Sequence, residues 1–286
     1  YSSLPTVALI PLDPLVSTIT AGLGAMQVHQ ASIVTDNDGS RRATLLFPAG
    51  TTATMELPSG ATQSLNTLQV RATEYTLGPN GPSAMPATLP ANSFYTYCVE
   101  FSVDEAIAAN ARAVRFSQPV VKYVDNFLGL AIGTTVPEGY YDRQQAQWVA
   151  SDSGRVVQVL AVVDSQAILD VDGNGGAATP EALAALGITG TERLKLAELV
   201  APGQSFWRVP IDHFTAWDSN WGVQPPADAA AAKQKLKSDD QTDCHATKTG
   251  SVIECQNQVL GEDLGLTGVR FGLHYNSDRV PGRLAA

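Results

Sequence analysis

Turn-forming residues cut this chain into short pieces, and that punctuation constrains its fold more than any other feature. From Gln30 onward, short β-branched and aromatic runs alternate with clusters of Gly, Pro, Asn and Asp. Asp38-Gly39 separates Ala31–Val34 from Arg41–Phe47, a hairpin signal. Pro48-Ala49-Gly50 and Pro58-Ser59-Gly60 bracket Thr52–Leu57. Leu68–Thr73 alternates apolar and polar residues with period two, as a half-buried antiparallel strand does. Phe94–Val103 is an aromatic strand-like run, and Asp104-Glu105 suits the start of a short helix over 104–110. Strands at this spacing predict a mostly β fold of tandem sandwich-like units.

The expected division has an extended lead at 1–29, where prolines exclude a helix. A first sandwich unit follows at 30–118. A second β unit spans 119–222 and includes Val120–Val124, a hairpin built from 136–142 and 147–149, and the apolar strand Arg155–Val163. It carries an insert at 166–200. A linker at 223–249 leads to a C-terminal strand segment at 250–286.

The insert holds the best-defined ligand pattern. Asp170-Val171-Asp172-Gly173-Asn174-Gly175, closed by Glu181, reads D-x-D-G-N-G-x5-E, a calcium-loop spacing. Asp170, Asp172 and Asn174 stand first, third and fifth, and Gly175 stands sixth, where the chain turns sharply. Gly176 offers a carbonyl at the seventh position, and Glu181 a bidentate carboxylate at the twelfth. Calcium is therefore the expected cofactor. A helix is expected near Thr179–Leu186 with Pro180 in its first turn. Thr189-x-x-Glu192 predicts a capping box for a second helix, Gly190–Leu199. The incoming side is strand, Gln166–Leu169, so the loop reads as a structural clip rather than a sensor hand. Asp36-Asn37-Asp38 also carries metal-grade oxygens, but its twelfth position is Phe47, so it reads as a turn.

Charge narrows the partners. The net charge is −10 and the sequence pI about 4.8. That balance opposes nucleic-acid and anionic-lipid binding, which need clustered cations. No apolar run approaches the roughly 20 residues of a membrane-spanning helix. Low charge with abundant Thr, Ser, Val and Gly suits a secreted protein, and the non-initiator Tyr1 suits a processed chain or an excerpt. Cys98 reads as a buried thiol, while Cys244 and Cys255 flank a polar segment that a disulfide could close. His29 is isolated and reads as a surface or strand residue. Ser205, Asp212, His213 and Asp218 hold the names of a catalytic triad, but no nucleophile motif supports one, so no enzyme activity is expected.

Two C-terminal segments carry a resemblance. Gly250-Ser251-Val252-Ile253-Glu254-Cys255-Gln256-Asn257-Gln258 is followed by Leu273-His274-Tyr275-Asn276-Ser277-Asp278-Arg279-Val280-Pro281-Gly282-Arg283. Together they resemble the entry segment of Rhs/YD-repeat proteins. Ala43–Thr51, Arg71–Thr76, Tyr123–Gly129 and Gly139–Arg143 are similar to the β-sandwich region that precedes the repeats in large secreted members. The resemblance implies a non-enzymatic, extracellular scaffold region whose partner is the remainder of a larger Rhs/YD polypeptide. These 286 residues contain no G-x-x-x-R-Y-x-Y-D array, so the family's shell and cargo activities do not carry over.

Two other readings stay open. The alternating run Val269, Phe271, Leu273 and Tyr275 has no evident hairpin partner. It could add to a sheet of another copy of the chain and build an extracellular filament. An aromatic cluster of Trp207, Trp217 and Trp221 could instead serve a glycan-binding adhesin.

Overall fold

The computed structural model describes residues 8–75, 78, 81–89 and 96–221, together with two strands at 261–265 and 272–276. In chain order the first strands are β1 (Ser17–Thr20), β2 (Gln27–Gln30), β3 (Val34–Asp36), β4 (Gly39–Arg41), β5 (Ala43–Phe47), β6 (Ala53–Glu56), β7 (Thr62–Leu65) and β8 (Thr67–Glu74). Then come β9 (Cys98–Val103), α1 (Asp104–Ala108), β10 (Ala113–Asp125), β11 (Thr135–Val136), β12 (Gly139–Asp142), β13 (Gln147–Ala150), β14 (Gly154–Val163) and β15 (Gln166–Asp170). Helices α2 (Pro180–Ala185) and α3 (Gly190–Leu199) precede β16 (Ser205–Phe214) and β17 (Ala216–Asp218). The last two strands are β18 (Gly261–Gly265) and β19 (Gly272–Asn276).

Two sheets face each other. The smaller has the order β1-β8-β9-β17-β12-β13. The larger runs β11-β14-β16-β10-β5-β2, with β15 added to β14 and the β6–β7 hairpin added to β10. Successive side chains on a strand point to opposite faces, and the large sheet uses both. Ala43, Leu45 and Phe47 of β5, and Trp207, Val209 and Ile211 of β16, enter a core shared with Leu68, Val70, Phe101 and Trp217 of the small sheet. On the other face Leu46, Tyr123, Val157, Val159 and Phe206 pack beneath α2 and α3, with Ile188 and Leu196 buried and Leu183 and Leu186 partly buried. Edge-to-face contacts join Phe47, Phe116 and Phe214 at 4.7–6.0 Å between ring centres.

The mostly β fold with a helical insert is the one the sequence predicts; the boundary at 118/119 is not there. Strand β10 runs straight through it, kinked by a register shift between Arg115 and Val120. Pro119 lies in that kink and lacks the N–H a regular ladder needs. Strands from the two sides of the expected boundary pair directly within each sheet, β9 with β17 in the smaller and β5 with β16 through β10 in the larger. Among the described residues the two sheets therefore form one sandwich, and its first strand, β1, comes from the expected lead. The chain divides instead into Tyr1–Gln224 and Pro225–Ala286, close to the expected start of the linker.

Local expectations fare better. Val34–Asp36 and Gly39–Arg41 pair as a hairpin across Asn37-Asp38. Gly139–Asp142 and Gln147–Ala150 form the expected second hairpin. Helix α2 begins at Pro180 behind the Thr179 cap, whose side chain accepts the Ala182 N–H. Thr189 likewise accepts the Glu192 N–H at 3.1 Å.

Candidate calcium loop

Strand β15 ends at Asp170, which is 2% exposed although it begins a surface loop. Its carboxylate organises the loop. Oδ1 accepts the backbone N–H of Asp172 at 3.1 Å and of Gly173 at 2.8 Å; Oδ2 accepts that of Gly175 at 2.8 Å. Asp172 Oδ1 accepts the Asn174 N–H at 3.2 Å, and its Oδ2 accepts the Asn174 side-chain amide at 3.0 Å. Asn174 Oδ1 accepts the Gly176 N–H at 2.6 Å. Gly173 and Gly175 adopt φ of 81° and 77°, the left-handed turns that let backbone N–H groups face inward. First, third and fifth side chains thus curl into one oxygen-rich loop.

The loop is locked to the neighbouring loop that leads into β11. A Cβ on Gly133 would lie 2.6 Å from the Asp172 carbonyl, and one on Gly173 would lie 2.4 Å from the Ile132 carbonyl oxygen. Two glycines therefore permit a backbone-to-backbone approach that no side chain allows. Val171, 4% exposed, inserts into the helix-covered core and anchors the loop from below.

Burial alone would raise the Asp170 carboxyl. The N–H bonds from Gly173, Gly175 and Asp172 outweigh it and hold the group below the usual carboxylate range. No ion pair among the described residues reaches Asp170 or Asp172. Carboxylate and amide oxygens of this kind are hard donors that suit calcium. Asp170 Oδ1 already accepts two N–H groups, whereas Asp170 Oδ2, both Asp172 oxygens and Asn174 Oδ1 hold one each and retain a second lone pair.

Glu181 is not gathered in. No group of three or more His, Cys, Asp or Glu side chains assembles as a metal cluster among the described residues. Pro180 and the Thr179 cap fix Glu181 in the exposed first turn of α2. There its own backbone N–H and the Thr179 hydroxyl hold its carboxyl below the usual range. The loop thus has the start of the calcium pattern without its twelfth-position closure.

Other expected sites fare differently. Cys98 is buried as expected, and desolvation pushes its thiol well above the usual range. Cys244, Cys255, Val269 and Phe271 lie outside the described residues. Strand β19, which carries Leu273 and Tyr275, has a hairpin partner: Leu273 pairs with Leu264 and Tyr275 with Glu262. That corrects the expectation of an unpaired strand. Trp207 and Trp217 are 0% and 1% exposed, so they are core rather than a sugar-binding face. Trp221 packs partly buried on the same core, 5.1 Å from Trp207. Ser205 and His213 lie at opposite ends of β16, about 26 Å apart for a strand rising about 3.3 Å per residue, so they form no triad. His29 lies on strand β2, the second of the two readings, and is fully buried rather than superficial. Its Nδ1 meets Ser17 Oγ at 3.0 Å, and burial lowers its pKa to about 4.

Three buried charge clusters escaped sequence reading. Arg41 binds Asp36 and Glu74. Arg208 binds Glu192 of α3 and the carbonyls of Leu186 and Gly187, with the Tyr123 hydroxyl on the same Glu192. Lys122 binds Glu138 and Ser219. Each depends on at least one partner 16 or more residues away, which no local spacing announces. Comparison with family models, curated proteins and solved structures returned no match.

Proposed function

We propose that this chain is a non-enzymatic extracellular structural module: the scaffold region of an Rhs/YD-like polypeptide, clipped by calcium at residues 170–176. The observation that carries the calcium reading is an oxygen-lined loop with two carboxylates and no cation of its own among the described residues. Asp170, Asp172 and Asn174 would supply side-chain oxygens, and Gly176 a carbonyl. A filled site would tie the end of β15 to the loop before β11 and to the helices over the large sheet. At extracellular calcium, even a weak site of roughly 10⁻⁴ to 10⁻³ M would be substantially occupied. The scaffold reading rests on the C-terminal resemblance, with the remainder of the larger polypeptide as partner.

An antibody against residues 30–221 tests the scaffold reading in fractionated cultures. The expected antigen is extracellular and much larger than the 30.1 kDa of this chain. A cytosolic species of 30 kDa contradicts it. Electron microscopy of the purified chain separates the filament alternative: discrete particles are expected, and regular fibres would favour strand exchange.

A further inference from the structure

The interior of the sandwich contains a lysine. Lys122 lies on β10 between Val120 and Val124, which face the shared core. Its ammonium meets Glu138 Oε1 and donates to Ser219 Oγ at 3.1 Å. Ser219 Oγ in turn donates to Glu138 Oε2 at 2.8 Å. Both charged side chains are 0% exposed, and so is Ser219. The three come from distant places: Lys122 from the large sheet, Glu138 from just before β12, and Ser219 from just after β17 of the small sheet. Asp218, 7% exposed, adds a second buried carboxyl whose field acts on Glu138.

We propose that Lys122 and Glu138 form an intramolecular isopeptide bond that joins the two sheets covalently, with Ser219 as the proton relay.

The arrangement supplies what amide formation needs. The amine and carboxyl are in contact, so no encounter entropy opposes the reaction. A dry site favours the neutral form of the Glu138 carboxyl, the form an amine attacks. Desolvation raises the Glu138 carboxyl to about 7, against the pull of Lys122 and Ser219. Ser219 touches both partners at once and can take a proton from nitrogen while giving its own to Oε2.

The step balances within the chain. The ammonium passes one proton through Ser219 to Oε2, leaving a neutral amine and a carboxylic acid. Nζ then attacks Cδ, and a C–N bond forms. A second proton follows the same relay to Oε2. The Cδ–Oε2 bond breaks and Oε2 leaves as water, while Oε1 remains as the amide oxygen. The three ammonium hydrogens end as one amide N–H and two on the water. No oxidant, metal or co-reactant takes part. Burial then excludes the bulk water that would reverse the step.

This proposal does not depend on the calcium loop or on an Rhs/YD origin. The test is the intact mass of the purified full chain after denaturation and reduction, followed by peptide mapping. The expected mass is short of the sequence mass by one water, with the peptides bearing Lys122 and Glu138 recovered as one branched species. K122M is expected to restore the full mass. S219A retains both reactants and, at unchanged circular dichroism, should show a lower cross-linked fraction. A wild-type mass equal to the sequence mass overturns the proposal even if neither variant folds. So does a water loss mapped to a succinimide at Asp38-Gly39 or Asp172-Gly173.

Discussion

Two acidic loops in this protein look alike in sequence and are solved in opposite ways. Asp36-Asn37-Asp38-Gly39 and Asp170-Val171-Asp172-Gly173-Asn174 both carry acidic side chains against a glycine. In the first, Arg41 supplies the counter-charge. Its Nη1 and Nη2 bind the two Asp36 oxygens at 2.9 and 2.7 Å, its Nε binds Glu74 at 2.8 Å, and its guanidinium lies 4.5 Å from the Phe127 ring centre. In the second, the carboxylates meet backbone and amide N–H groups, and no described cation reaches them. Acidity alone therefore does not mark a metal site. The location of the neutralising charge does, and under the calcium proposal the second loop takes its own from solution.

The comparison can be broken at several points. The largest effect is expected at Arg41, which is 1% exposed. R41A removes the guanidinium from buried Glu74, and the loss of a buried partner typically costs about 3–5 kcal/mol. Urea unfolding should show it, with or without calcium. A loss below about 1 kcal/mol would mean the guanidinium is no more than a surface pair.

Gly133→Ala comes next. The new Cβ would strike the Asp172 carbonyl at a φ of +83°, so the two loops must separate. A loss of about 1–3 kcal/mol is expected, together with weaker calcium binding. Unchanged calcium affinity in this variant would show that the interlock does not shape the site.

Acid should affect both loops with the same sign. The Arg41 hydrogen bonds, against burial, hold Asp36 below its ordinary 3.8. The backbone N–H bonds, against burial, do the same for Asp170. A carboxyl depressed in the folded state stabilises above its ordinary pKa, and that stability is lost as pH falls through the folded value. Melts between pH 6 and 3 should therefore fall most steeply below about pH 4. R41A should flatten the Asp36 part of that fall, and D170N the Asp170 part.

The smallest effect is expected at Glu181. E181Q should leave calcium affinity within about threefold and remove only an exposed helix-terminus charge. D172N should weaken calcium clearly more. Equal losses in the two variants would restore Glu181 as a ligand.

Legibility in the sequence followed the range of the interactions. The hairpin at Asp36–Gly39, helices α2 and α3 and the half-buried strand Thr67–Glu74 are set by residues close along the chain, and they stand where the pattern put them. The cap at Thr189 was legible only in part. Thr189 takes the Glu192 N–H as a capping box requires, but the Glu192 side chain turns to Arg208 instead of closing the box. That partner is fixed by β16 passing beneath α3, which spacing does not reveal. The 118/119 boundary failed for the same reason. Which strands become neighbours is decided by tertiary pairing, and Pro119 looked like a break while sitting in a kink of one long strand. Trp207 and Trp217 read as an exposed cluster because burial of β16 and β17 depends on the opposite sheet. In the loop, the tight turn over 170–176 stands where the sequence put one, while the direction of Glu181 is set by Pro180 and Thr179, which commit it to α2.

The central claim, that residues 170–176 take their counter-charge from calcium, is tested most directly by thermal unfolding of the wild-type chain and D172N in millimolar calcium and in excess chelator. A site near 10⁻⁴ M filled at millimolar calcium stabilises by about 1.4 kcal/mol, a rise of roughly 3–6 °C for a domain of this size. That rise is expected for wild type, and its loss in D172N. Identical wild-type melts in calcium and in chelator would contradict the claim.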